Sequence, residues 1–178
     1  MLLPAYLPTR NYIQMAWVVP DLDRAIENWV TKAGVGPFFV FDPVEFGDPV
    51  YRGTPSTTPQ SEAAMAYAGD IQIELISPLE DVPSYWTDRT PYGRTAFHHV
   101  AVNSADYEAD LAFFTTQGAE VAFSGTMLGF PVCWIDTIDT LGFMMELMTP
   151  NPVANSIFGQ IKDASAGWDG SDPVRKLG

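Results

Sequence analysis

The apolar and polar positions of this chain fall into two stretches with the same rhythm. Tyr12-Ile13-Gln14-Met15-Ala16-Trp17-Val18-Val19-Pro20-Asp21 is a β-branched and aromatic run closed by proline and an acidic residue. After it, Leu22, Ala25, Ile26, Trp29 and Val30 recur at helical spacing, with Asp23, Arg24, Glu27 and Asn28 between them. The pattern predicts a strand over 13–19, then a helix capped by Asp21 or Asp23 and ended by Gly34 and Pro37. Phe97 to Asp106 repeats this plan: sliding one stretch onto the other sets Gln14 against His99, Ala16 against Ala101 and Asp21 against Asp106. The second helix starts near Asp106, carries Tyr107, Leu111 and Phe114 on one stripe, and stops at Gln117-Gly118. A chain that repeats itself in this way is expected to fold as two copies of one unit.

Three strand-like runs follow each helix. In the first copy they are 38–41, 63–68 and 71–77, the last two turned at Gly69-Asp70. In the second they are 119–123, 132–136 and 143–148. The interval 42–61, rich in Pro, Gly and Thr, reads as a long loop or a loose strand. The last strand of each copy alternates: Ile71, Ile73 and Leu75 against Gln72, Glu74 and Ile76, and Phe143, Met145 and Leu147 against Met144, Glu146 and Met148. One face of each suits helix packing and the other presents a carboxylate. The expected organisation is an arm over 1–11, a first βαβββ unit over 12–78, a linker over 79–96, a second unit over 97–150, and a tail over 151–178. That tail holds a short helix near 154–162.

The 178 residues fit one domain or two small modules with a shared core, and at 47% hydrophobic the chain has enough apolar surface for one. Nine Lys and Arg stand against 22 Asp and Glu, a formal charge of -13. A nucleic-acid backbone and an anionic membrane are therefore poor partners, and highly charged substrates such as coenzyme A esters are disfavoured. A single cysteine, Cys133, excludes an internal disulfide; it sits in an apolar run and reads as a buried structural thiol. The N-terminal stretch lacks the features of a signal peptide and no apolar run is long enough to cross a bilayer, so the expected location is the cytoplasm.

Four fragments together resemble the vicinal-oxygen-chelate superfamily, which includes glyoxalase I, methylmalonyl-CoA epimerase, extradiol dioxygenases and fosfomycin and bleomycin resistance proteins. They are Gln14 to Leu22, Ile73 to Pro78, His99 to Val102 and Met145 to Pro150, in order and paired by the repeat. The resemblance implies an α+β fold in which two tandem βαβββ units form a curved mixed sheet with a shared cleft. It also implies that the first and last strand of each unit supply ligands for a divalent metal ion (Zn, Ni, Co, Mn or Mg). Those positions here are Gln14, Glu74, His99 and Glu146, a set similar to that of some glyoxalase I enzymes. Gln14 departs from the commoner histidine, and the alternative for it is an amide that serves only as a cross-strand hydrogen-bonding group.

The residue types suit such an ion, since imidazole nitrogen, carboxylate and amide oxygen are hard or borderline donors. An alternative for Glu146 is an ion pair with an arginine such as Arg94, or a wet strand edge. The repeat register sets His99 with Gln14 towards the cleft and His98 with Ile13 towards the helix layer, so His98 reads as structural or supporting. Two adjacent histidines cannot both face the cleft from a regular strand, which argues against a two-histidine iron site and ring-cleaving oxygen chemistry.

The expectation is a metal-dependent isomerase, epimerase or lyase that stabilises the enolate of a small, mostly apolar carbonyl substrate, with Glu146 as base and Glu74 on the opposite face. Few cations stand near the expected cleft (Arg52, Arg89, Arg94 and Arg10), whereas Phe38, Phe39, Phe46, Tyr67, Trp86, Phe130, Met144 and Met148 offer apolar surface. A homodimer is expected. The alternative is a non-catalytic protein of the bleomycin-resistance kind that sequesters an apolar ligand.

Overall fold

A computed structural model describes residues 10–177. The first half runs from strand β1 (Arg10–Val18) into helix α1 (Leu22–Asn28), then β2 (Phe38–Phe41), β3 (Gly47–Tyr51), β4 (Thr54–Pro55), β5 (Ser61–Ala68) and β6 (Ile71–Pro78). The second half runs β7 (Ala96–Ser104), α2 (Tyr107–Thr115), β8 (Glu120–Met127), β9 (Phe130–Asp136), α3 (Ile138–Leu141) and β10 (Met144–Met148). Helix α4 (Pro152–Ser165) and β11 (Val174–Lys176) close the chain. The expected N-terminal arm falls almost wholly outside the described residues.

Both main helices begin where an aspartate can cap them. Asp21 accepts a hydrogen bond from the backbone N–H of Arg24 at 2.9 Å, and Asp106 accepts one from Ala109 at 3.1 Å. Past Asn28, α1 widens into a π-type turn over Trp29–Ala33 and stops at Gly34, whose φ of +66° suits glycine.

All strands form one curved, open mixed sheet in the order β11-β2-β5-β6-β1-β7-β10-β9-β8-β3-β4. The halves join through antiparallel pairing of β1 with β7, and each first strand lies parallel to the last strand of its own half. The pairing is symmetric about the junction. Gln14 stands opposite Ala101 and Ala16 opposite His99; Ala16 neighbours Glu74 on β6, as Ala101 neighbours Glu146 on β10. The repeat read from the sequence is thus a structural pseudo-twofold.

The alternation of the last strands sorts side chains as expected. Ile73 and Leu75 pack with Leu22 and Ile26 of α1, and Met145 and Leu147 with Phe114 of α2, forming one outer core per helix. On the opposite face Ala16, Ala101, Ile76, Met144 and Met148 share a third core with Tyr85, Trp86, Phe123 and Trp134. Cys133 is fully buried, and burial pushes its thiol up to about 11, as befits a structural residue.

Two segments find partners that the local pattern does not name, the first of them on the loose-strand side of its two expected forms. The interval 42–61 carries the hairpin β3–β4, which leaves the first half and pairs with β8 of the second, Val50 against Ser124 and Tyr51 against Phe123. The stretch 79–96 connects the halves but also packs between them, because Tyr85 and Trp86 sink into the inner core. Tyr85 stacks on Phe123 at 4.3 Å between ring centroids.

Arg52 ties these pieces together. Its guanidinium lies 2.7 Å from Asp88, 2.8 Å from Asp136 and 2.5 Å from Glu120, and the Tyr51 hydroxyl donates to Asp88. Asp88 and Asp136 are mostly shielded, so removing the cation leaves carboxylates facing one another. Arg52→Ala is expected to lower unfolding stability by about 1–2 kcal/mol, discounted for the partial exposure of the pair, as read from the urea midpoint.

Candidate active-site cleft

The concave face of the sheet holds a cavity of about 250 Å³ whose walls come from both halves. Gln14 and Glu74 reach it from β1 and β6, and Glu146 and Met148 from β10. Trp86 and Trp134 add aromatic wall, and Ala154, Ile157 and Phe158 of α4 close one side. The cleft therefore forms within one chain.

At its deep end the carboxylates of the two halves converge on one imidazole. His99 Nε2 lies 2.9 Å from a Glu146 oxygen and 3.4 Å from a Glu74 oxygen. Glu146 pairs with His99, and Arg94 takes no part. His99 is fully buried, and Nε2, although close to both carboxylates, has no well-directed hydrogen-bond partner. Burial pulls the His99 pKa down, but the charges of Glu146 and Glu74 outweigh it and lift it to about 9. Burial raises the Glu146 carboxyl above its ordinary range, His99 opposes that, and the like charge of Glu74 adds to it.

Gln14 is buried on the same face, but its amide is engaged elsewhere: Nε2 donates to Gln72 Oε1 at 2.7 Å. Among the described residues, no three or more His, Cys, Asp or Glu side chains are arranged as a ready ligand group for a metal ion. The donor types nevertheless fit one. Two carboxylates flank an imidazole nitrogen that lacks an aligned partner, with an amide alongside.

His98 does not face the helix layer. The β1–β7 pairing skips one residue on each strand: Ile13 between Tyr12 and Gln14, and His98 between Phe97 and His99. Each is the extra residue of a β-bulge, and a bulge re-aims its side chain. Ile13 packs on the inner core, and the His98 ring lies against Tyr85 and Trp86. Its Nε2 sits 2.8 Å from the Tyr85 carbonyl and its Nδ1 2.9 Å from His99 Nδ1. A carbonyl only accepts, so His98 Nε2 carries the proton. Burial and neighbouring His99 pull the His98 pKa down to about 3. Neutral His98 therefore accepts at Nδ1 from His99 Nδ1–H. That fixes the His99 ring and leaves Nε2 to the carboxylates. Both ring nitrogens of His98 are thus engaged, and its ring, contrary to strict alternation, lies on the inner face beside His99.

Other residues sort as follows. Of the aromatic and methionine side chains named from the sequence, Phe46, Trp86 and Met148 line the cavity. Phe38 belongs to the core under α1, and Met144 to the inner core without reaching the cavity. Arg52 and Arg89 are engaged with Asp136 and its acidic neighbours, and no Lys or Arg is among the described residues lining the cavity. Tyr85, which accepts from His98, and Trp134, which lines the cavity, also stand at the site and were passed over, and Gln72 bonds Gln14 there. The one available signal was Gln72 sharing the polar face of its strand with Glu74.

His98→Phe keeps an aromatic ring but strips partners from the Tyr85 carbonyl and His99 Nδ1. The expected cost is about 1–3 kcal/mol by urea unfolding, with far-UV circular dichroism unchanged.

Comparison with solved structures places this architecture. Methylmalonyl-CoA epimerase from Mycobacterium tuberculosis superimposes with a TM-score of 0.57 at 20% identity, over 88% of this chain and 97% of that one. A hypothetical protein from Bacillus halodurans C-125 gives 0.57 at 13% identity, over 80% and 96%. A methylmalonyl-CoA epimerase in complex with methylmalonyl-CoA and NH4+ gives 0.55 at 19% identity, over 82% and 97%. No curated protein matches the chain at a significant level. The family described as the Glyoxalase/Bleomycin resistance protein/Dioxygenase superfamily matches residues 13–134, and with its paired halves, shared cleft and open curved sheet this chain belongs to that superfamily.

Proposed function

We propose that the chain is an isomerase or epimerase that moves a proton at the carbon next to a carbonyl. The carrying observation is that Glu74 and Glu146, at equivalent places in the two halves, converge on His99 at the floor of a mostly apolar cavity. Epimerisation needs a proton removed from one face of a carbon and returned on the other, and two carboxylates from opposite halves suit that demand. Similar folds in methylmalonyl-CoA epimerases are compatible with this chemistry.

Glu146 is the base: it is the more deeply buried carboxylate and the nearer to His99. Glu74 holds or returns the proton on the opposite side. His99, steadied by His98, sets its charge 2.9 Å from the Glu146 oxygen, and Trp86 and Trp134 exclude water. Gln14, Glu74, His99 and Glu146 would hold a divalent ion. When bound, such an ion supplies electrophilic stabilisation of an enolate oxygen. The absence of Lys and Arg from the described lining favours a small, weakly charged substrate. A homodimer fits the exposed Tyr12 and Met15 on β1, and light scattering would read it.

Glu146→Gln is expected to preserve the fold and most metal while cutting solvent deuterium exchange at the substrate carbon by roughly 10²–10⁴-fold. Full retention of exchange removes Glu146 from the role. Metal analysis of the purified protein is expected to find a divalent ion in stoichiometric amount. A sequestering protein of the bleomycin-resistance kind is the second reading, favoured by the apolar walls. It predicts no ion and ligand affinity unchanged in Glu74→Ala and Glu146→Ala.

A further inference from the structure

The segment after β10 lies beyond the part matched to the superfamily and crosses from one half of the molecule to the other. It leaves the second half at Met148, passes along the cavity as α4, and ends as β11 paired parallel with β2 of the first half. It is pinned along its length. Asn151, buried at the start of α4, accepts from the N–H groups of Val153 and Ala154, and its amide reaches the Met127 carbonyl at 3.4 Å. Ile161 is fully buried, and Lys162 pairs with Asp70 at 2.7 Å on the β5–β6 turn. Further on, Trp168 covers Gly36 so closely that an added Cβ would lie 2.6 Å from its ring, and the Phe38 N–H donates to the Pro173 carbonyl at 2.8 Å. Anchors before, within and after the helix make α4 a fixed wall.

The cavity also has a direction. Glu74 and Glu146 mark its buried end. Val44 and Leu128 line it yet are 41% and 59% exposed, so an apolar rim marks the mouth, with the exposed Asp42 carboxylate beside it. Ile157 and Phe158, both half-buried, face the space that an apolar tail would fill. At about 250 Å³ the space lies below the roughly 300–1,000 Å³ of pockets for drug-sized ligands.

We infer that α4 is the specificity wall of the cleft: Phe158, with Ile157, sets the length of the apolar chain carried by an uncharged carbonyl substrate. This rests on the carbonyl reading given above for the deep end. A long tail meets the Phe158 ring, and an acidic tail meets the Asp42 carboxylate at the mouth.

The test is calorimetric binding of straight-chain methyl ketones, butanone to undecanone, to the full-length protein. In the parent chain affinity is expected to rise with length and then fall sharply. Phe158→Ala shifts that fall to longer ketones and strengthens binding of the first excluded member by about tenfold or more. Phe158→Leu shifts it less and serves if the alanine variant does not fold. Val153→Ala, on the exposed face of the same helix, leaves the profile unchanged. An unchanged cut-off in a folded Phe158 variant overturns the inference, as does the absence of binding by every ketone. Tighter binding of a coenzyme A ester than of any free ketone overturns it too. Binding alone reads the profile, so the outcome is separable from turnover: an unshifted cut-off alongside lost exchange in Glu146→Gln sinks the wall and leaves the carboxylate reading in place.

Discussion

The β1–β7 junction is the constraint on which the cleft depends. Its register sets Gln14 opposite Ala101 and Ala16 opposite His99, with Glu74 beside Ala16 and Glu146 beside Ala101. Both alanines are fully buried on the inner face, and their small side chains leave the room that the carboxylates and the imidazole occupy. A slip of one residue at this junction would send His99 to the outer face. The register is held by apolar burial on both sides: Val100 and Val102 under α2, Trp17 towards α1, and Ala16 and Val18 within. Ordinary packing in the outer cores thus fixes the geometry of polar groups in the cleft.

Such a site is costly to build. A buried imidazole between two carboxylates must offset desolvation by close pairing and by satisfied remaining groups. The chain meets part of that cost through His98, which holds one side of the His99 ring and is itself tied to the Tyr85 carbonyl. Tyr85 in turn is held by Phe123, Trp86 and Trp134, at ring distances of 4.3, 4.0 and 4.8 Å. The segment connecting the halves is therefore part of the support for the imidazole. The Arg52 cluster works one layer further out, tying β3 to Asp88 of that same segment and to Asp136 at the end of β9.

What could be read from the chain was local or repeated. The caps at Asp21 and Asp106, the turn at Gly69, and the alternation that aims Glu74 and Glu146 inward are properties of short windows, and the repeat extended them to the equivalence of His99 with Gln14 on the inner face. Features that depend on a distant partner were not legible. The β3–β4 hairpin finds its mate in β8, some seventy residues away along the chain. The bulge at His98 exists only because β1 and β7 pair as they do, so strict alternation assigned that side chain to the wrong face. Gln14 and Gln72 are separated by 58 residues, and nothing local announced that the two amides would bond to each other. The destination of α4 and β11 depends in the same way on a strand, β2, that the end of the chain reaches only once folded.

The pseudo-twofold is also broken in a way that bears on chemistry. The equivalent of His99 is Gln14, and the equivalent of Gln72 is Met144, so one half surrounds its carboxylate with amides and the other with an imidazole and a thioether. Gln14 and Gln72 satisfy each other, which keeps their side polar but uncharged. On the other side His99 leans to Glu146 at 2.9 Å against 3.4 Å to Glu74, and Met144 adds no hydrogen-bond donor of its own. Two glutamates at equivalent places in the two halves thus sit in unlike surroundings. The fold sets two carboxylates at equivalent places, and the departures from the repeat give them different neighbours.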